Sequence, residues 1–158
     1  ILSTADANVK KKLGREIADP LETPLVVILA KYDAWKHLVA DELPAFSTGA
    51  VDEIDAIHGF RAAEVERVSA ALRGLLVAMC PAIVATAERL SRRVCYIPTS
   101  ATGSSPIVAG QIQASGEPNL KFRAGSIRPI WAEVPLLWIL SLLTTGLVPV
   151  ARSKQQVR

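Results

Sequence analysis

Apolar and polar positions change rhythm several times along this chain, and each change marks an element. Leu25-Val26-Val27-Ile28-Leu29 is an unbroken apolar run between Pro24 and a polar stretch that opens at Lys31. A short, β-branched run with such borders predicts a strand buried on both faces, as in parallel sheets covered by helices above and below. Ahead of it, residues 2–15 predict the tail of a polar-faced helix, broken by Asp19-Pro20. After it, residues 34–46 predict a short amphipathic helix ending near Leu43-Pro44, and residues 47–60 a polar connection rich in turn formers.

From Arg61 the period becomes helical. Ala62, Val65, Val68, Leu72, Leu75 and Leu76 fall on one face, while Glu64, Arg67 and Arg73 lie largely on the other. Pro81 must kink or restart this helix, so residues 61–93 predict one long kinked helix or two in succession. Val94-Cys95-Tyr96-Ile97-Pro98 predicts a second buried strand, closing in Thr99-Ser100-Ala101-Thr102-Gly103. Residues 103–126, rich in Gly, Ser and Pro, predict a long irregular loop. Residues 129–145 predict a strongly apolar helix with Pro129 in its first turn, Gly146 as its C-cap, and Trp131, Val134 and Trp138 on one core-facing side. The tail from Val150 is polar and expected to fray. Strands alternating with helices predict an α/β layered fold.

Composition narrows the picture only slightly. Half of the 158 residues are hydrophobic, 21% are charged, and the formal net charge is +3. That suits one domain with a single core and is too weakly basic to argue for nucleic acid. Lys10-Lys11-Lys12 and Arg92-Arg93 are expected at helix ends, where cations meet the negative pole of the dipole. Cys80 and Cys95 have no CxxC spacing and read as small hydrophobes, which fits a reducing, cytoplasmic compartment. His37 and His58 stand apart from any nucleophile motif, and Asp41-Glu42 and Asp52-Glu53 with Asp55 read as solvated acidic edges.

The chemistry is expected where the two parallel strands end, because open α/β sheets bind ligands beyond their C-terminal ends. The first strand runs into Ala30-Lys31-Tyr32-Asp33 and the second into Thr99-Ser100-Ala101. Guanine presents two N–H donors on one edge, and a carboxylate held at a strand end accepts both; adenine cannot satisfy it. Asp33 suits that role, although it equally suits the N-cap of the next helix. Lys31 would lay its methylene stem across the base, and Ala101 would offer its backbone N–H to the guanine carbonyl while letting the base approach closely.

These two signals resemble the guanine-specificity motifs of P-loop GTPases, (Asn/Thr)-Lys-x-Asp and Ser-Ala. The resemblance spans residues 1–149, with the tail at 150–158 outside it. It implies part of a P-loop NTPase-like three-layer sandwich, with residues 40–93 as an added helical element. Lys31, Asp33, Ser100 and Ala101 would bind guanine. GTP or GDP would be the ligand, with magnesium held by residues outside this chain, and the upstream half of the same domain and protein effectors as partners. Lys-Tyr-Asp-Ala-Trp, Ile-Pro-Thr-Ser-Ala-Thr-Gly and the stretch from Arg128-Pro129-Ile130-Trp131 to Pro135-Leu136-Leu137 are similar to bacterial double-GTPase type proteins.

The sequence departs from the family in two ways. Ala30 stands where Asn or Thr would tie this loop to the phosphate loop. In addition, no Gly-x-x-x-x-Gly-Lys-(Ser/Thr) and no Asp-x-x-Gly occurs, so the groups that would cradle phosphate and hold magnesium are missing. The chain opens on Ile1, and in the family's order both motifs would precede it; it is therefore expected to be a piece of a longer protein that aggregates or stays molten when isolated. Hydrolysis would then rest on residues elsewhere, and none here is named catalytic. Two other readings stay open: a degenerate GTPase-fold scaffold that binds protein without nucleotide, and membrane association through residues 130–150. Glu133 and Pro135 argue against a span.

Overall fold

The computed structural model describes residues 20–47, 51–54, 57–111, 116–123 and 125–151. Its centre is a pair of parallel strands, β1 (Leu25–Leu29) and β4 (Val94–Pro98), in register from Leu25 opposite Val94 to Leu29 opposite Pro98. Between them lie α1 (Tyr32–Trp35), a 3-10 turn over Lys36–Leu38, the antiparallel hairpin β2 (Val51–Ile54) and β3 (Ile57–Phe60), then α2 (Ala62–Met79) and α3 (Pro81–Leu90). A second antiparallel hairpin, β5 (Ile107–Gln111) and β6 (Pro118–Lys121), precedes α4 (Val134–Leu143). The chain is thus a mixed α/β fold built on two parallel strands and helices.

Strand β4 is the backbone of the core because its side chains alternate between two apolar clusters. Cys95 and Ile97 point to one, with Phe60, Val65, Val68, Trp131, Val134 and Trp138; Tyr96 points to the other, with Val39, Leu43, Leu72, Leu76 and Val84. Helix α2 feeds both clusters, its N-terminal half the first and its C-terminal half the second. Its apolar stripe is the predicted one, with Val65, Val68, Leu72 and Leu76 buried. Ser69 on the same face accepts the Tyr96 backbone N–H at 2.9 Å, so the helix satisfies a strand donor as well as covering the sheet. Pro81 restarts the helix instead of kinking it. It stands at the first position of α3, where a missing N–H costs nothing.

Several expectations are corrected. Strand β1 is not buried on both faces: Ile28 is 53% exposed, because β4 is the only strand paired with β1 among the described residues. The helix expected over 34–46 is reduced to α1 and the 3-10 turn, and Val39 and Leu43 reach the core from irregular chain. The connection expected over 47–60 contains β2 and β3, so the helical part of 40–93 begins only at Ala62. The irregular loop expected over 103–126 holds the β5–β6 hairpin.

Helix α4 starts at Val134, not Pro129, and Pro135 occupies its first turn. It ends at Leu143 with Thr144 as C-cap, leaving Gly146 beyond it. Trp131 therefore precedes the helix, with φ at 50°, yet it packs in the same cluster as Val134 and Trp138. The start of the expected tail is tied down: Phe60 N–H donates to Pro149 at 2.6 Å and Ala151 N–H to Phe60 at 2.9 Å. Cys80, read as a small hydrophobe, is exposed between α2 and α3, whereas Cys95 is buried; both are free thiols. The expected helix over 2–15, Lys10-Lys11-Lys12, Asp55 and the end of the tail lie outside the described residues. No helix among the described residues is long and apolar enough to cross a membrane.

Candidate functional site

Both strands end at the same level, and the chain leaving each is held by the other. Thr99 N–H donates to Leu29 at 2.9 Å, and Tyr32 N–H donates to Thr99 at 2.9 Å. Between them Lys31 adopts a left-handed conformation, φ 59° and ψ 38°, which turns the backbone sharply off β1 and opens α1. The Trp35 indole N–H closes this turn by donating to the Ala30 carbonyl at 2.9 Å.

Asp33 falls in the first turn of α1, with Lys31 and not Asp33 as the N-cap. Its carboxylate does not cap the helix; it faces the end of β4. The Ser100 hydroxyl donates to Asp33 Oδ1, and the Ser105 hydroxyl donates to Oδ2 at 3.1 Å. Ser100 is 1% exposed and fully committed: its Oγ also accepts the Gly103 N–H at 2.8 Å. Its backbone exchanges two hydrogen bonds with Ile130, at 3.0 and 2.8 Å. One serine thus links the two strand ends and the segment leading into α4.

The turn after Ser100 requires glycine. Gly103 has φ 68°, and a Cβ there would sit 1.8 Å from the Arg128 carbonyl oxygen. That close approach lets Arg128 N–H donate to Thr102 at 2.9 Å and brings the 126–131 segment beneath the loop.

The result is a cleft of about 550 Å³ at the strand ends. Lys31, Asp33, Ser100 and Ala101, the four residues singled out from sequence, all line it. Sequence reasoning missed Ser105, Pro106 and Phe122, which reach the cleft from the second hairpin and its approach. The serine pair at 104–105 carried no motif, and Phe122 was hidden in a stretch read as loop. Ala101 is exposed, and its N–H meets no acceptor among the described residues.

The cleft thus brings together a carboxylate at Asp33 and a backbone N–H at Ala101. The described residues do not fit a magnesium ion, since no three of their His, Cys, Asp or Glu side chains come together. Among the described residues Lys31 is the one basic side chain lining the cleft, too little for a chain of phosphates.

Beside the cleft, burial raises the Tyr32 phenol above its ordinary value; the larger displacements lie elsewhere. Burial pushes the Cys95 thiol up to about 11 and the Tyr96 phenol up to about 12. Both line a separate cleft of about 410 Å³, together with Arg73, Arg92 and Arg93. A thiol held protonated there is a core group and not a nucleophile. Of its cations, Arg73 is bound to Glu88 at 2.9 Å and Arg92 to Glu22 at 3.1 Å. His37 and the Asp41-Glu42 pair are exposed and do not line the strand-end cleft.

No family model, curated protein or solved structure matches this chain.

Proposed function

We propose that this chain carries the guanine-reading part of a GTPase-like nucleotide-binding domain, within a P-loop NTPase-type sandwich. The observation that carries the reading is the convergence of Asp33 and the Ser100-Ala101 backbone on one cleft, from strand ends 67 positions apart in the chain. Asp33 accepts the two guanine donors, Ala101 N–H donates to the carbonyl, and Ser100 holds the carboxylate in place. Lys31 covers the base with its stem. The phosphates and magnesium of GTP or GDP belong to residues outside this set, so hydrolysis is not assigned to any residue here.

The test exchanges the base instead of abolishing binding. Xanthine carries a carbonyl where guanine has its amino group, so an amide that both donates and accepts should suit it. Binding of GMP, AMP and XMP to the chain is measured by calorimetry, alongside Asp33→Asn. The reading expects wild type to prefer GMP and the variant to prefer XMP. In chain shown to be folded by a cooperative melt, equal binding of all three by both proteins, or none, defeats it.

The scaffold reading keeps a specific observation in its favour. Both Asp33 oxygens already accept hydroxyl donors from the chain itself, and Ala30 has no side chain to reach a phosphate loop. On that reading the Ser100–Asp33–Ser105 cluster only locks the strand ends together, and the XMP switch would not occur.

A further inference from the structure

Phe122 stands in an unusual position for a large apolar side chain. It follows directly after β6, in a two-stranded hairpin whose other large residues are left to solvent: Ile107 is 42% exposed, Val108 66% and Leu120 56%. None of these joins either core cluster. Phe122 is also 42% exposed, yet it lines the strand-end cleft together with Asp33, Ala101 and Ser105. It is the only aromatic side chain among the described residues that line it.

The groups at the strand ends address only the edge of a base. Asp33 and the Ala101 N–H lie where an edge hydrogen-bonds, while the two flat faces of a purine remain to be covered. Lys31 offers an aliphatic stem for one. An aromatic ring supplies what the other lacks, because stacking buries the apolar face and every base has a π-surface to offer. The hairpin explains how the ring arrives. Ser105 is hydrogen-bonded to Asp33 just before β5, so the root of the hairpin is anchored at the recognition carboxylate, and Phe122 returns to the same cleft at its other end.

We infer that Phe122 is the stacking residue for the purine base, held against the cleft by the β5–β6 hairpin. This inference rests on the guanine reading of the cleft but makes a separable claim. Stacking is indifferent to the pattern of donors and acceptors on the base, so Phe122 sets affinity for purines generally, and Asp33 sets the choice among them.

The experiment compares GMP and AMP binding by wild type, Phe122→Ala, Phe122→Leu and Phe122→Trp. Phe122→Ala should weaken both nucleotides by about tenfold, the size of a lost base stack, with the GMP-to-AMP ratio unchanged. Phe122→Leu keeps an apolar side chain without a ring and should behave like alanine. Phe122→Trp should restore affinity and show saturable quenching of its fluorescence by GMP. Retention of full affinity by Phe122→Ala, with wild type still preferring GMP, overturns the stacking role and leaves the guanine reading standing. Equal affinity in Phe122→Leu and wild type reduces the side chain to hairpin packing and also overturns it. Absence of GMP binding in wild type overturns both.

Discussion

Ser100 and Asp33, 67 positions apart, are joined by a hydrogen bond from the serine hydroxyl to Asp33 Oδ1. The same hydroxyl oxygen accepts the Gly103 N–H at 2.8 Å, so a single buried atom orients the carboxylate and caps the following turn. Backbone bonds between Thr99 and Leu29 and between Tyr32 and Thr99 already tie the strand ends; the serine hydroxyl adds the direction in which the carboxylate points, which is what a bidentate acceptor needs before any ligand arrives.

Ser100→Ala removes that atom and leaves the Gly103 N–H without its acceptor. We expect a loss of about 1–3 kcal/mol of stability in urea unfolding, the cost of an unsatisfied buried group. We also expect a reduced preference for GMP over AMP. Unchanged stability and unchanged preference would show that the bond carries neither.

Gly103→Ala tests the turn itself. A left-handed backbone costs a residue with a Cβ about 1–2 kcal/mol, and here the Cβ would also overlap the Arg128 carbonyl oxygen at 1.8 Å. The Arg128–Thr102 and Ser100–Ile130 pairings must part to make room. Amide hydrogen exchange at Arg128 and Ile130 should accelerate strongly, ahead of amides in α2. Protection equal to wild type would mean that the turn can absorb the methyl group.

The two thiols should separate cleanly. Cys80 is exposed and Cys95 is 2% exposed, its thiol pushed up by burial from an ordinary 9.0 to about 11. Iodoacetamide on the native protein should therefore modify Cys80 alone, and Cys95 only after unfolding, as read by peptide mass spectrometry. Rapid native labelling of Cys95 would contradict the packing around β4.

Stability should fall in alkali for the same reason. Tyr96 is pushed up from 10.0 to about 12, chiefly by burial and then by the charge of Glu88. For a group whose folded value is raised, the unfolded chain loses its proton first, so the stabilisation is intact below the unfolded value and lost as pH rises through the folded one. Together Cys95 and Tyr96 set a window from about 9 to about 12. Cys95→Ser and Tyr96→Phe melts across that window should lose part of the decline. A flat wild-type profile would reject the coupling.

Some of this architecture was legible in the residue pattern because it follows from local chemistry. Leu25–Leu29 and Val94–Pro98 are strands as their apolar runs required, and the stripe of α2 is the one its period gave. Both strand-end motifs were visible for the same reason: each is contiguous with a strong element. The hairpins were not, since β5 and β6 carry Gly, Pro and exposed apolar residues whose pairing is decided by partners across a turn and not by their own pattern. The start of α4 was misplaced because Trp131, at φ 50°, breaks the helix where its apolar spacing continues.

By itself the sequence determined the two parallel strands, the helix between them that covers β4, and the identity of the four residues at the strand ends. Only the tertiary structure decided that Asp33 faces Ser100 and Ser105 instead of capping α1, and that Phe122 comes to the same cleft. Element type depends on neighbours in the chain, where period and turn chemistry act directly. The direction in which a carboxylate points depends on donors brought near by folding, and those donors leave no periodic trace of their own.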